Sequence, residues 1–82
     1  MAAATTKTVL DALSPYLIKH NGSCFLFEHE AEQAKAKLFS RCPGTYANIE
    51  QDKHGLALVI GNTGLHVNRP LLKVYLIQIL RE

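Results

Sequence analysis

An uninterrupted apolar run near the middle of the chain constrains the fold more than any other part of the sequence. Leu56–Ile60 reads LALVI, with Gly55 before it and Gly61 after it. A short apolar run between turn-forming residues is typical of a strand that is buried on both faces. We therefore expect Leu56–Ile60 to form an inner strand of a small sheet.

The residues before this run alternate in character, as a half-exposed strand does. In Thr45–Gln51 every second residue falls on the same face, with Thr45 at the start of one face. The Asp52–Gly55 segment that follows has hairpin length and places glycine where a positive φ is required. Thr45–Gln51 should therefore pair antiparallel with the apolar run, and Leu65–Val67 is a candidate for a further short strand.

A helix is expected near the start of the chain. Thr8–Asp11 has the form of a capping box, and apolar residues follow it at helical spacing. Pro15 interrupts the pattern, so the helix either kinks there or gives way to a second helix capped by Ser14. The Asn-Gly pair at 21–22 suits the left-handed C-terminal cap of such a helix.

A strand and a second helix are expected next. Ser23–Glu28 carries apolar and aromatic residues on both faces, which favours a central position in the sheet. His29–Arg41 has glutamates in its first turn and basic residues towards its end, as the helix dipole prefers. Ala31, Ala34 and Leu38 form a stripe that would let this helix pack closely against a sheet.

The last segment fits two descriptions. Asn68–Pro70 resembles a helix start, and the next apolar residues fit one helical face, although Val74 and Ile77 lie off that face. A helix this apolar must be buried on more than one side, and in a small chain a second copy would cover it. The alternative is a strand over Lys73–Leu80, which is rich in β-branched residues. We favour the helix and assign a protein interface to these residues: Leu72, Tyr75, Leu76, Ile79 and Leu80.

These elements predict a single small α+β domain spanning residues 1–82, with 1–5 as a loose tail. The predicted order is helix, strand, helix, strand, strand, an optional short strand, and helix. The sheet should form a single layer of three to four mostly antiparallel strands with helices packed on it.

Composition narrows the classes of function. The chain has 82 residues, a formal net charge of +2 and two cysteines. It is too weakly charged for bulk charge to indicate nucleic acid, and it has no apolar run long enough to span a membrane. Two cysteines do not make a disulfide scaffold, so we expect a cytoplasmic, reduced protein.

The Gly61–Gly64 turn is one candidate for chemistry, because glycines let backbone approach a phosphate closely. The pattern I-G-x-x-G-x-x-V over 60–67 resembles the clamp loop of KH domains that bind single strands, but there the loop joins two helices and here it follows a strand. A tight hairpin turn is the favoured interpretation. The nucleic-acid alternative would use the turn and nearby polar residues: Lys53, His54, Gly61, Asn62, Thr63, Gly64, His66 and Arg69.

Other polar groups predict structure rather than catalysis. The histidine and cysteine spacings match no usual metal site, so neither a metal nor a cofactor is expected. The acidic cluster at Glu28–Glu32 complements a helix start and lacks the desolvation that catalytic carboxylates need. Cys24 and Cys42 should lie at the same end of the strand-helix unit as reduced thiols, although oxidation could pair them.

We therefore expect a non-enzymatic domain that binds another protein and forms a homodimer through its C-terminal segment. The alternative is a regulator that binds nucleic acid through the glycine turn. No residue pattern supports an enzyme.

Overall fold

The computed structural model describes residues 4–64 and 70–78. Within these residues, two helices accompany a single five-stranded sheet. The elements, in chain order, are α1 (Thr6–Leu13), β1 (Ile18–His20), β2 (Ser23–Phe27), α2 (Ala31–Arg41), β3 (Thr45–Asp52), β4 (Gly55–Asn62) and β5 (Leu72–Ile77). A short 3-10 turn, Glu28–Glu30, leads from β2 into α2.

The strands lie in the order β1-β2-β5-β4-β3. β1 with β2 and β3 with β4 are antiparallel hairpins. β5 joins the two hairpins, because it pairs parallel with β2 on one side and antiparallel with β4 on the other. The α+β class and the mostly antiparallel sheet are therefore confirmed, with five strands where three to four were expected.

The apolar run is an inner strand, as its composition predicts. β4 lies between β3 and β5, and Ala57, Leu58 and Ile60 are completely buried. The predicted hairpin with β3 is also present, since Asp52 pairs with Gly55 and Gly55 has a φ of +118°.

The prediction of a C-terminal helix is wrong, and the alternative prediction of a strand is confirmed over the described residues, where β5 spans Leu72–Ile77. β5 is a central strand, so its apolar side chains are divided between the two faces of the sheet. Val74 is completely buried beneath the helices, whereas Tyr75 faces the opposite side. Pairing with β2 and β4 overrides the helical spacing, because tertiary contacts outweigh a local pattern. The predicted Leu65–Val67 strand and the interface residues Ile79 and Leu80 lie outside the described residues.

The first helix begins one turn earlier than predicted. Thr5 rather than Thr8 is the cap: the Thr8 N–H donates to Thr5 Oγ1 at 3.2 Å, and the Thr5 N–H donates to Thr8 Oγ1 at 2.9 Å. Ala4 and Thr5, expected to belong to a loose tail, are thus held in place. Ala4 is bonded to the Asn62 side chain, with the Ala4 N–H donating to Oδ1 at 3.1 Å.

Both alternatives for Pro15 are wrong. α1 ends at Leu13 with Ser14 as its C-cap, and a turn leads into β1. Asn21 and Gly22 do not cap a helix: they have φ values of 51° and 79° and connect β1 to β2. Two consecutive residues with positive φ suit the tight turn of a β-hairpin, for which Asn-Gly is the preferred sequence.

The core lies between the helices and one face of the sheet. The alanine and leucine stripe of α2 is buried there, as predicted. The largest completely buried side chains belong to both helices and to the central strands: Val9, Leu13, Leu26, Leu38, Leu58, Ile60 and Val74. We call this side of the sheet the helix face and the opposite side the open face, since both described helices pack on the former.

Candidate functional site

Aromatic side chains dominate the open face along the two central strands. Phe25 of β2 and Tyr75 of β5 are register partners, and their ring centroids are 6.3 Å apart with the planes tilted by 42°. Phe27 and Ile77 form the next pair along the same two strands. All four side chains are half-buried. We call Phe25, Phe27, Tyr75 and Ile77 the aromatic patch.

A groove of about 510 Å³ opens beside the aromatic patch. Phe25, Tyr75 and Ile77 line it together with Ser23, Leu76 and His54. The His54 ring meets Tyr75 edge-on, with centroids 6.0 Å apart and planes at 88°. The groove therefore has an apolar floor and a polar group at its border, which is the usual composition of a binding site.

A charged bridge crosses the open face next to this groove. The Lys73 ammonium forms a salt bridge with Asp52 Oδ2, and the Tyr75 hydroxyl donates to the same oxygen at 3.3 Å. The His54 backbone N–H donates to the other carboxylate oxygen at 2.7 Å. The Lys73 nitrogen also lies 5.6 Å from the centre of the Tyr75 ring, within range of a cation-π contact.

These contacts lower the pKa of Asp52 and raise the pKa of Lys73. The Lys73 hydrogen bond, followed by the His54 backbone N–H, lowers the pKa of Asp52 from 3.8 to about 2. The same hydrogen bond raises the pKa of Lys73 above 10.5. Both groups are therefore charged across the neutral pH range, and each neutralises the charge of the other.

Small residues of β4 make room for the bridge. Asp52 belongs to β3 and Lys73 to β5, so a bond between them must pass over β4. The β4 residues on this face between the register partners of Asp52 and Lys73 are Gly55, Ala57 and Val59. The first two are small, Ala57 is completely buried, and Val59 is the register partner of Lys73. Leu or Ile at position 57 would occupy the space through which the two side chains meet.

A second close approach on this face involves Gly61. Its register partner is Tyr46, and a Cβ atom at position 61 would lie 2.7 Å from the Tyr46 ring. Atoms at that separation overlap, so the ring packs on Gly61 because no side chain is present. The glycine that bounds the apolar run thus serves cross-strand packing.

The predicted nucleic-acid residues do not form one surface. Lys53 and His54 lie in the turn at one end of β4, whereas Gly61–Gly64 lies at the other end. An eight-residue strand separates them by roughly 23 Å at about 3.3 Å per residue. His66 and Arg69, the remaining members of that set, fall outside the described residues.

The polar side chains of the glycine turn are used within the fold. Asn62 Nδ2 donates to the Ala4 carbonyl at 3.0 Å. The Thr63 backbone N–H and hydroxyl both donate to the Gly44 carbonyl, at 2.8 Å and 2.9 Å. Gly61 and Asn62 belong to β4 itself, and Leu65–Val67, which would complete the predicted hairpin, lies outside the described residues.

The predicted interface residues are divided by the sheet. Leu72 and Leu76 pack against the core, whereas Tyr75 lies on the open face. The sequence did not predict Phe25, Phe27 and Ile77 as surface residues. Both faces of Ser23–Glu28 were expected to be covered, and Ile77 was expected to lie in a helix. The alternation of Phe25 and Phe27 about Leu26 was the available signal.

The acidic cluster and the two cysteines, considered above as candidates for chemistry, take part in contacts within the fold. Glu28 accepts a bond from Gln78 at 2.9 Å, and Glu32 pairs with Lys35 at 3.6 Å. Cys24 and Cys42 are free thiols, the first half-buried and the second buried in the core. Within residues 4–64 and 70–78, no three acidic, histidine or cysteine side chains gather into a metal-binding group.

No family model, curated protein or solved structure matches the chain. None of the helices in the described part of the chain has the length and apolar character needed to cross a membrane.

Proposed function

We propose that this chain is a non-catalytic domain that binds an extended segment of another protein on the open face of its sheet. The observation that carries this proposal is the aromatic patch on the central strands β2 and β5. Aromatic side chains bring a large apolar area to an interface at a small cost in conformational entropy, and they recur among the residues that dominate binding energies.

The shape and charge of the open face favour a particular kind of segment. The groove of about 510 Å³ accommodates a large apolar side chain against Phe25 and Tyr75. Glu50 is exposed in the same cross-strand row, two strands beyond Tyr75. A partner segment with a large apolar residue and a neighbouring lysine or arginine would match both features.

Nucleic acid fits the same face less well. Stacked aromatic rings do suit unpaired bases, which is the strongest argument for that alternative. However, phosphates require cations, and Lys73 is already paired with Asp52 while Glu50 adds a negative charge nearby. The electrostatics of the open face thus favour a basic peptide over an oligonucleotide.

We propose that the domain works in the cytosol and that β5 contributes fewer contact residues than the sequence suggested. Free thiols at Cys24 and Cys42 are consistent with a reducing compartment. The apolar character of the C-terminal segment follows from the central position of β5. Among the described apolar residues of β5, Tyr75 and Ile77 face away from the helices and are therefore the candidates for contact with a partner.

Titration of isotope-labelled protein with short peptides tests this function. We expect a peptide containing phenylalanine beside two lysines to shift the amide resonances of Phe25, Tyr75 and Ile77. The same peptide with glutamates in place of the lysines should bind more weakly. Phe25→Ser should abolish the shifts, whereas Ile49→Ser, on the helix face of β3, should leave them unchanged.

The proposal fails if the resonances of the aromatic patch do not move at millimolar peptide. It also fails if a random single-stranded oligonucleotide shifts them in a manner that weakens with added salt, since that dependence is the mark of phosphate contacts.

A further inference from the structure

The two edge strands of the sheet, β1 and β3, differ in how well they are protected against pairing with a further strand. β1 is three residues long and contains Lys19, and short edges bearing lysine resist further pairing. β3 is eight residues long, its sequence TYANIEQD contains neither lysine nor proline, and its pairing with β4 is continuous without a bulge. Among the described residues, no strand pairs with the outer side of β3.

The hydrogen bonds of β3 identify which backbone groups point outward. The bond from the Thr63 N–H to the Gly44 carbonyl marks 44 and 63 as a hydrogen-bonded pair in the same register as the hairpin. Because such pairs alternate with non-bonded ones, the even-numbered residues of β3 bond to β4. The outward N–H and C=O groups therefore belong to four odd-numbered residues: Thr45, Ala47, Ile49 and Gln51.

An apolar side chain is exposed on this edge strand. Ile49 is 48% exposed and Phe39 is 41% exposed, and they are the exposed large hydrophobic residues of the described chain. Ile49 lies on β3, and Phe39 lies on α2, the helix that packs beside β3. A strand added to the outer side of β3 would therefore satisfy backbone groups and also cover apolar surface.

We infer that β3 pairs antiparallel with β3 of a second copy, in a register centred on Asn48. Outward residues can form hydrogen-bonded pairs only with outward residues, so the register must match odd-numbered positions with one another. Centring on Asn48 is the arrangement that uses all four of them. It gives the pairs Thr45–Gln51, Tyr46–Glu50, Ala47–Ile49 and Asn48–Asn48.

The composition of β3 suits this self-pairing. Glu50 faces Tyr46 of the second copy, so no carboxylate lies directly opposite another, which would be destabilising. Ile49 faces Ala47 on the helix face, where the small alanine leaves room for it. A single two-fold axis satisfies both copies at once, which is the commonest symmetry of soluble oligomers. The inference is independent of the aromatic patch, because it uses a different surface.

A disulfide across the axis tests the register. Asn48 would face its own copy as a non-hydrogen-bonded pair with Cα atoms about 4.5 Å apart, which is within the range that a disulfide bridges. We expect Asn48→Cys to give a covalent dimer on mild oxidation, at least about tenfold faster than random collision allows. Glu50→Cys is the matched control, because position 50 lies on the same strand and face. In the proposed register it faces position 46 of the second copy, so the two positions 50 are offset by about four residues.

Sedimentation of the uncrosslinked protein tests the interface itself. The wild type should sediment as a dimer, and Ile49→Lys should sediment as a monomer with an unchanged circular dichroism spectrum. Phe25→Ser should remain dimeric. A monomeric wild type at about 100 µM, far above the dissociation constant of a stable dimer, would overturn the inference. So would equal crosslinking by the two cysteine variants, or a dimer lost with Phe25→Ser and kept with Ile49→Lys.

Discussion

The two faces of the sheet are built from the same strands but stabilised in different ways. On the helix face, β4 contributes the branched aliphatic residues Leu58 and Ile60, which are completely buried in the core. On the open face, β4 contributes Val59 together with Ala57 and Gly61, and the latter two make room for larger side chains of neighbouring strands. One strand thus supplies core packing on one side and space for the side chains of its neighbours on the other.

This difference teaches where stability and binding can be separated by mutation. Substitutions on the helix face should act through the free energy of unfolding, because they leave cavities among closely packed atoms. Under the proposed function, substitutions on the open face should act first on the binding of the partner segment. The predictions below test how sharply the two faces differ, beginning with the largest expected effect.

Leu58→Ala should cause the largest loss. Leu58 is completely buried in the core, and removing such a side chain leaves a cavity that typically costs about 2–5 kcal/mol. Urea unfolding followed by circular dichroism measures the change. Leu56→Ala, on the same face of β4 but only half-buried, is the control. If the two variants are equally stable, the helix face is not the main source of stability.

Gly61→Ala should have the next largest effect, although it adds only a methyl group on the open face. The new Cβ would overlap the Tyr46 ring, and overpacking of this kind costs about 1–3 kcal/mol. The loss should be much smaller when Tyr46 is already alanine, which a double-mutant cycle of unfolding free energies would show. Equal losses in both backgrounds would exclude the ring as the cause.

Phe25→Ser should cost about 1–2 kcal/mol, less than Leu58→Ala, because the Phe25 side chain is only half-buried. Its effect on binding of the lysine-containing peptide should be far larger than its effect on stability. Calorimetric titration alongside urea unfolding separates the two. A peptide affinity that is unchanged in a folded Phe25→Ser protein would remove the aromatic patch from the proposed function.

Asp52→Asn should have the smallest effect, and that effect should depend on pH. Asp52 has a pKa lowered from 3.8 to about 2, so its contribution to stability is present above pH 3.8 and is lost as the pH falls towards 2. The urea midpoints of wild type and Asp52→Asn should therefore differ at neutral pH and converge in acid. Salt should also reduce the difference, because the pair is exposed.

At alkaline pH, the contribution of the salt bridge to stability depends on the charge of Lys73. Its pKa is raised above 10.5, so the stability it contributes is complete below that pH and is lost as the pH rises through the raised value. Lys73→Met should therefore approach the wild type in alkali as well as in acid. A difference that stays constant from acid to alkali would mean that the bridge adds no stability.

The sequence predicted those elements whose patterns are local. The apolar run between two glycines, the hairpin before it and the alanine stripe of α2 all follow from spacing within a few residues. β5 could not be assigned in this way, because Leu72 and Leu76, four residues apart, share a face in either a helix or a strand. Its identity depends on pairing with β2 and β4, which are distant along the chain.

The candidate site was less predictable than the fold. Phe25 and Tyr75 become neighbours only because β5 lies beside β2, a strand order that the sequence does not state. Asp52 and Lys73 likewise meet across β4, where Gly55 and Ala57 leave room for their side chains. Predicting the aromatic patch requires knowing which face the helices leave open, and that depends on the tertiary arrangement of the whole sheet.

The position of β5 also governs the order in which the sheet can be completed. Each hairpin is formed by neighbours along the chain, so both can assemble early and quickly. Until β5 inserts, however, β2 and β4 each present a free apolar edge and the two halves of the sheet are not joined. Insertion closes long loops and should be the slow step, and an intermediate waiting for β5 would be the species most prone to aggregate.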